Sequence, residues 1–167
     1  MMNERKVLMN REVAKKKIRR MALEIAEQLS GEEIDLVLAG ISKNGPDIAN
    51  QLLPVLRDYL PSTVHSISLS FDKTNPGEIS FSEKIDFSGK NIIIIDDVSN
   101  TGKALVHAMK PFLSFKTNRI QMLVLVERTH KLFPVKPDYV GLSVATTAED
   151  YIKVKIENHE VMGAYIE

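Results

Sequence analysis

Four consecutive isoleucines, Ile92 to Ile95, run straight into two acids, Asp96 and Asp97, and this junction restricts the fold more than any other stretch of the chain. A strand that is apolar at every position has no solvent side, so it belongs in a sheet covered on both faces, where parallel strands are found. The two carboxylates mark the place where that sheet meets water. Side chains alternate across a strand, so the acids point to opposite sides, and the spacing predicts that only one of them enters the adjoining crevice directly.

The flanking segments fit the same frame. From Asn10 to Leu29, apolar residues at Val13, Ala14, Ile18, Met21, Ile25 and Leu29 recur every three to four positions, which predicts an amphipathic helix with its lysines on the other face. Asp35 to Gly40 reads as a short strand buried on both sides. The turn Ile41 to Gly45 leads to a helix from Pro46 to Tyr59, with Pro46 suited to the first helical position and Pro54 expected to kink or break it. Thr63 to Phe71 is a predicted strand. Asp72 to Ser88, with Asn75-Pro76-Gly77 inside it, is expected to be a polar excursion that adds little to the core and is a candidate lid. Asn91 to Ile95 is a strand, Lys103 to Phe115 a helix and Arg119 to Val126 another strand, while Asp138 to Gly141, Tyr151 to Ile156 and Val161 to Ile166 read as short strands. The alternation predicts an α/β fold with a mostly parallel central sheet flanked by helices, right-handed crossovers, and ligands at the carboxyl ends of the strands.

Composition narrows the function classes. A chain of 167 residues fits one domain, and 44% hydrophobic with 26% charged residues excludes collagenous and disordered classes. The 22 basic residues balance the 22 acidic ones, so no global field draws the protein to nucleic acid or an anionic membrane. Cysteine is absent, which excludes disulfides, thiolate nucleophiles and Cys-ligated zinc. The charged beginning of the chain and the lack of any apolar run near ~18 residues make the cytoplasm the expected location and no membrane the expected partner.

Chemistry concentrates between Asn91 and Leu105. The turn Ser99-Asn100-Thr101-Gly102 can wrap backbone N–H groups around an anion, and Thr101 adds a hydroxyl, so it reads as a phosphate seat. Carboxylates repel phosphate but accept hydrogen bonds from hydroxyls. Acids beside such a seat therefore point to a ligand carrying both groups, as ribose 5-phosphate does. A Walker A loop is excluded, because Asp97 occupies its first Gly position and Ala104 its Ser/Thr position. A dinucleotide fingerprint is excluded because no G-x-G-x-x-G follows the strand. A phosphoacceptor domain would carry its Asp pair near the start of the chain.

The run Ile93-Ile94-Ile95-Asp96-Asp97-Val98-Ser99-Asn100-Thr101-Gly102-Lys103 resembles the motif with which type I phosphoribosyltransferases bind 5-phosphoribosyl 1-diphosphate (PRPP). The likeness extends over nearly the whole chain to the PyrR group, bifunctional pyrimidine operon regulators with uracil phosphoribosyltransferase activity. It is carried by Gly40 to Gly45, by Leu125 to Pro134 with Asp138 to Gly141, and by the ending Val161 to Glu167. The resemblance implies a type I phosphoribosyltransferase fold with a small hood and transfer of phosphoribose from PRPP to uracil or another pyrimidine. It implies Asp96 and Asp97 as the catalytic acids at the ribose, and Val98, Ser99, Asn100, Thr101, Gly102 and Lys103 at the 5′-phosphate. Ser42, Lys43, Asn44 and Gly45 would bind pyrophosphate, and Val126, Glu127, Arg128, Val144 and Ala145 the base. Mg²⁺ would be held mainly by PRPP and water, with Asp96 or Asp97 as the protein's contribution, and the expected assembly is a homodimer.

This chain departs from the group in places. The group's pyrophosphate loop usually reads Lys-Thr-Arg-Gly, whereas Ser42-Lys43-Asn44-Gly45 lacks the guanidinium; Ala104 replaces a second Thr; and the excursion carries Lys73 and Lys84 but no Arg. The resemblance thus also accommodates a catalytically weakened regulator that senses PRPP or a nucleotide. Lys15, Lys16, Lys17, Arg19 and Arg20 form a candidate RNA-contacting patch, but a solvated helix face is the favoured reading, since aromatics are only 6% and offer no stacking platform. His65, His107 and His159 read as surface or packing residues, and His130, beside Arg128, as a candidate functional one.

Overall fold

The isoleucine run is the middle of the molecule. In the computed structural model, which describes residues 5–72, 74 and 77–167, strand β5 (Asn91–Ser99) has β2 (Leu36–Ile41) on one side and β6 (Arg119–Arg128) on the other. All four isoleucines are fully buried. They divide by parity: Ile93 and Ile95 face a core built with α1 (Arg11–Gln28) and α2 (Asn44–Tyr59), whereas Ile92 and Ile94 face a second core around Phe112 and Phe87. Each such side chain contributes roughly 1.5–3 kcal/mol by leaving water, and a polar residue anywhere in the run would face one of the two cores.

The main sheet has the order β4-β3-β2-β5-β6-β7, with β3 (Val64–Ser70), β4 (Ser80–Phe81) and β7 (Tyr139–Val144). Every pair is parallel except β3 with β4, which is antiparallel at the edge. Between β2 and β5 the strand order reverses direction, and a crevice opens there at the carboxyl ends. The hood is a separate antiparallel sheet of β1 (Lys6–Asn10), β9 (Glu160–Ile166) and β8 (Ile152–Glu157). Its Met9, Ile152, Val154, Val161 and Ala164 share the core under α1. Asn10 ends β1 and caps α1, its Oδ1 accepting from the Val13 N–H at 2.9 Å.

Several expectations are corrected. Helix α2 begins at Asn44, two residues before Pro46, and continues through Pro54 to Tyr59 without a break. Pro54 and Asn50, the residue whose carbonyl loses its partner, are both exposed, so water can satisfy that carbonyl. The helix from Lys103 is α-helical only to Met109 (α3) and tightens to a 3₁₀ helix over Lys110–Ser114, where Pro111 offers no N–H. The excursion after Asp72 does build core: Ser80 and Phe81 pair with β3, and Phe87 is buried in edge contact with Phe112 and Phe115 at centroid distances of 4.9 and 5.2 Å. Lys73, Asn75 and Pro76 lie outside the described residues. Strand β1 was not anticipated, because its partner β9 lies at the far end of the chain.

Candidate active site

The loop after β2 is pressed against its neighbours by two glycines. A Cβ on Gly40 would lie 2.4 Å from the Pro46 nitrogen, and one on Gly45 would lie 2.5 Å from the Ile95 carbonyl oxygen. Only hydrogen fits at either position, so the start of α2 sits directly on the end of β5. Between the glycines, Ser42 takes a left-handed φ of 56° and its N–H donates to the Leu69 carbonyl at 2.8 Å. Asn44, the first residue of α2, donates from Nδ2 to Asp97 Oδ2 at 2.8 Å. This bond ties the β2 loop to the end of β5.

β5 runs beyond Ile95 through both acids to Ser99, paired with β6 throughout. Asp96 is 1% exposed and Asp97 is half-buried. Asp96 Oδ1 accepts from the Asp97 N–H at 2.9 Å, and Asp97 Oδ1 accepts from the Val98 N–H at 2.8 Å, so backbone donors orient both carboxylates. Two cavities meet at Asp96. One, of 310 Å³, is lined by Ile41, Ser42, Lys43, Asn44, Asp96 and Asp97. The other, of 180 Å³, is lined by Asp96 and by Val98 to Leu105. Asp97 borders only the first, so both acids line the larger cavity, where strand alternation predicts one.

The smaller cavity is the predicted seat. Gly102 adopts φ 86°, and a Cβ there would lie 2.5 Å from Val135 Cγ1. The Thr101 carbonyl accepts from the N–H groups of Leu132 and Phe133 at 3.0 and 3.1 Å, and the Thr101 hydroxyl oxygen accepts from the Lys103 N–H at 3.2 Å. Ser99 Oγ and Asn100 Oδ1 are buried without a hydrogen-bond partner among the described residues. Leaving a buried polar atom unpaired costs about 1–3 kcal/mol, and here two such atoms adjoin one small cavity.

The residues expected to hold a base separate. Val126 is fully buried in the core, so its side chain does not reach a cleft. Glu127 stands at the carboxyl end of β6, where Oε1 accepts from Lys131 Nζ and Oε2 accepts from Ser143 Oγ at 3.0 Å. Arg128 donates to the Thr147 carbonyl at 2.5 Å, and the Val144 carbonyl accepts from the Thr129 N–H at 3.0 Å, with the exposed Ala145 next in the chain. A cavity of 610 Å³ lies along Glu127, Thr129, Lys131 and Phe133 to Lys136. Lys131 and Ser143 were missed from sequence; the opposite charges of Glu127 and Lys131, four residues apart, were the available signal.

The remaining candidates lie elsewhere. His107 Nε2 is 3.2 Å from the Gly77 carbonyl with its ring edge-on to Phe71, and His159 Nδ1 is 2.8 Å from Asp47 Oδ1. Arg20 donates to the carbonyls of Val140 and Gly141, both at 3.0 Å, which takes it out of the basic patch. Among the described residues no helix is long and apolar enough to cross a membrane.

Comparison with known proteins places this geometry. Residues 7–157 match the phosphoribosyl transferase domain family. The chain belongs to the phosphoribosyltransferases. A bifunctional protein PyrR of Actinobacillus pleuropneumoniae is 30% identical over 173 residues, covering 96% of this chain and 95% of its own. A bifunctional protein PyrR of Roseiflexus sp. is 31% identical over 172 residues, covering 97% and 92%. Among solved structures, the hypoxanthine phosphoribosyltransferase of Trypanosoma cruzi superposes with a TM-score of 0.79 at 16% identity over 95% of each chain. A hypoxanthine-guanine phosphoribosyltransferase of Bacillus anthracis gives 0.70 at 19% identity over 88% of this chain and 85% of that one. At those identities the solved structures carry the fold alone. This phosphoribosyltransferase has the mostly parallel sheet and hood that the isoleucine strand and its flanking motif implied.

Proposed function

We propose that this phosphoribosyltransferase moves the 5-phosphoribosyl group of PRPP to a pyrimidine, with uracil the first candidate, and releases pyrophosphate. The carrying observation is the meeting of two cavities at Asp96, the smaller of which is lined by Ser99, whose buried Oγ has no hydrogen-bond partner among the described residues. A sugar phosphate laid across them places its phosphate against the N–H groups of the Ser99 to Lys103 turn and its diol against Asp96 and Asp97. The loop Ser42 to Gly45 then faces the diphosphate. Glu127, Arg128, Val144 and Ala145 stand on the base side, where the identity of the relatives supports a pyrimidine.

The residues fit Mg²⁺ in a restricted sense. No group of three or more His, Cys, Asp or Glu among the described residues is arranged around a metal, so a hard cation would take most of its oxygens from the ligand and water, with Asp96 or Asp97 supplementing them. When bound, Mg²⁺ supplies charge neutralisation for the departing diphosphate. The chain itself binds and orients. Asp97, held by the Val98 N–H and Asn44, keeps a fixed acceptor for a ribose hydroxyl, and Asp96 places a buried carboxyl oxygen beside the sugar ring.

The hood and the main sheet share one core, which supports a single working domain over residues 1–167. A homodimer in the cytoplasm completes the proposal, and sedimentation of the purified protein reads the assembly. Incubation with labelled PRPP, Mg²⁺ and a panel of bases tests the reaction. Uridine monophosphate as the main product supports it, and no product with any pyrimidine refutes it.

A further inference from the structure

The basic face of α1 borders more than solvent. A cavity of 510 Å³ lies where α1, α2 and β9 meet, and it shares no lining residue with the cavities at Asp96 or Glu127. Small-molecule sites of about 300–1,000 Å³ combine an apolar lining with a few placed polar groups. The apolar part here is Ile18 and Val161, both buried, with the half-buried Val55. Lys15, Lys16 and Arg19, all exposed, supply the charge. Lys15, Ile18 and Arg19 stand three and four positions apart, so one stripe of α1 carries both the apolar contact and two of the cations. None of the three cations has an ion-pair or hydrogen-bond partner among the described residues, in contrast to Arg20, which is held by Glu24 and two carbonyls. The acid in the lining, Glu160, is already engaged, because its two carboxylate oxygens accept from Arg11 at 2.9 and 2.7 Å. Glu12, one turn ahead of Lys15 and Lys16, pairs with neither.

Like charges four positions apart on a helix repel, so Lys15 and Arg19 raise each other's free energy until an anion comes between them. An inorganic anion would meet those charges and leave the apolar lining wet. A neutral apolar molecule would cover the lining and leave the cations unanswered. Nucleic acid would bring bases that stack on aromatic rings, and no lining residue is aromatic. We infer that the cavity between α1, α2 and β9 binds a small amphipathic organic anion. Its carboxylate, sulfonate or phosphate group lies at Lys15, Lys16 and Arg19, and its aliphatic or aromatic body covers Ile18, Val55 and Val161. The ligand is a free molecule and not a membrane surface, because Ile18 and Val161 are buried beyond the reach of a flat bilayer. This second site stands independently of the phosphoribosyl reading, since none of its residues belongs to the turn or the acids of β5.

The test is fluorescence titration of the full chain with 8-anilinonaphthalene-1-sulfonate and with N-phenyl-1-naphthylamine, which has the same aromatic body and no sulfonate. Wild type, K15Q/R19Q and K110Q are compared after melting curves show that each folds; Lys110, in the 3₁₀ helix, lines no part of this cavity. Wild type is expected to bind one sulfonate dye per chain, at least tenfold more tightly than the neutral one. K15Q/R19Q is expected to shrink that preference to within about threefold while the neutral dye changes by less than twofold. K110Q, which also removes a positive charge, is expected to leave both affinities unchanged, and excess ribose 5-phosphate is expected to leave the dye in place. Equal affinities for the two dyes in wild type, or a preference that K15Q/R19Q leaves intact, overturn the proposal. So does a preference that K110Q lowers equally, which is a net-charge effect, or displacement of the dye by ribose 5-phosphate, which puts it in the candidate active site.

Discussion

Ser99→Ala separates a ligand-binding hydroxyl from a structural one. Ser99 is 2% exposed and its Oγ has no partner among the described residues, so the unliganded protein bears the cost of a desolvated hydroxyl, about 1–3 kcal/mol. Alanine removes that oxygen and leaves a void of atomic size, which offsets part of the gain. The net expectation is stabilisation of about 1 kcal/mol, or a rise of roughly 2–4 °C in Tm for a chain of this size. With a phosphate in the smaller cavity the sign reverses, because the wild-type hydroxyl then makes a bond to a charged acceptor worth about 1.5–3 kcal/mol. Affinity for ribose 5-phosphate should therefore fall roughly ten- to hundredfold. Scanning calorimetry without ligand and titration calorimetry with it read the two arms. An S99A protein that melts lower than wild type and binds ribose 5-phosphate equally well would refute the reasoning, since Ser99 would then be a structural hydroxyl.

Gly45→Ala should cost about 1–3 kcal/mol in chemical denaturation and weaken PRPP binding together, because a Cβ 2.5 Å from the Ile95 carbonyl must push α2 and Asn44 away from β5. Asp97→Asn should weaken ribose 5-phosphate binding, measured by calorimetry, while Tm stays within a few degrees; a collapse of unliganded stability would make the acid structural. Burial pushes the Tyr139 hydroxyl up to about 12, with Asp138 acting in the same direction. The unfolded phenol ionises near 10, so stability present below pH 10 should be lost as pH rises from 10 through 12, by about 2–3 kcal/mol in total. In urea unfolding across that range, Tyr139→Phe should flatten this part of the alkaline slope, and an unchanged slope would contradict the assignment.

Local chemistry made the core of this account readable from the chain. Four isoleucines in a row have no amphipathic solution, so a strand buried on both faces follows from composition, and a small polar turn ending in Gly102 before a helix follows from backbone geometry. What stayed hidden depends on partners distant in sequence. The pairing of β1 with β9 joins the two ends of the described chain, and Lys6 to Asn10 carries no alternation strong enough to announce a strand. Phe87 sits in a polar stretch, and only its meeting with Phe112 and Phe115 makes it core. Pro54 misled because propensity does not register that its side of α2 faces water. Val126 precedes Glu127 in β6, but its side chain is fully buried in the core under α1.

The most direct test of the central claim is a crystal structure of the protein soaked with uridine 5′-monophosphate. Phosphate oxygens are expected within hydrogen-bond distance of Ser99 Oγ and the N–H groups from Asn100 to Gly102, with the ribose hydroxyls at Asp96 and Asp97. A nucleotide seated elsewhere, with the smaller cavity filled only by water, would contradict it.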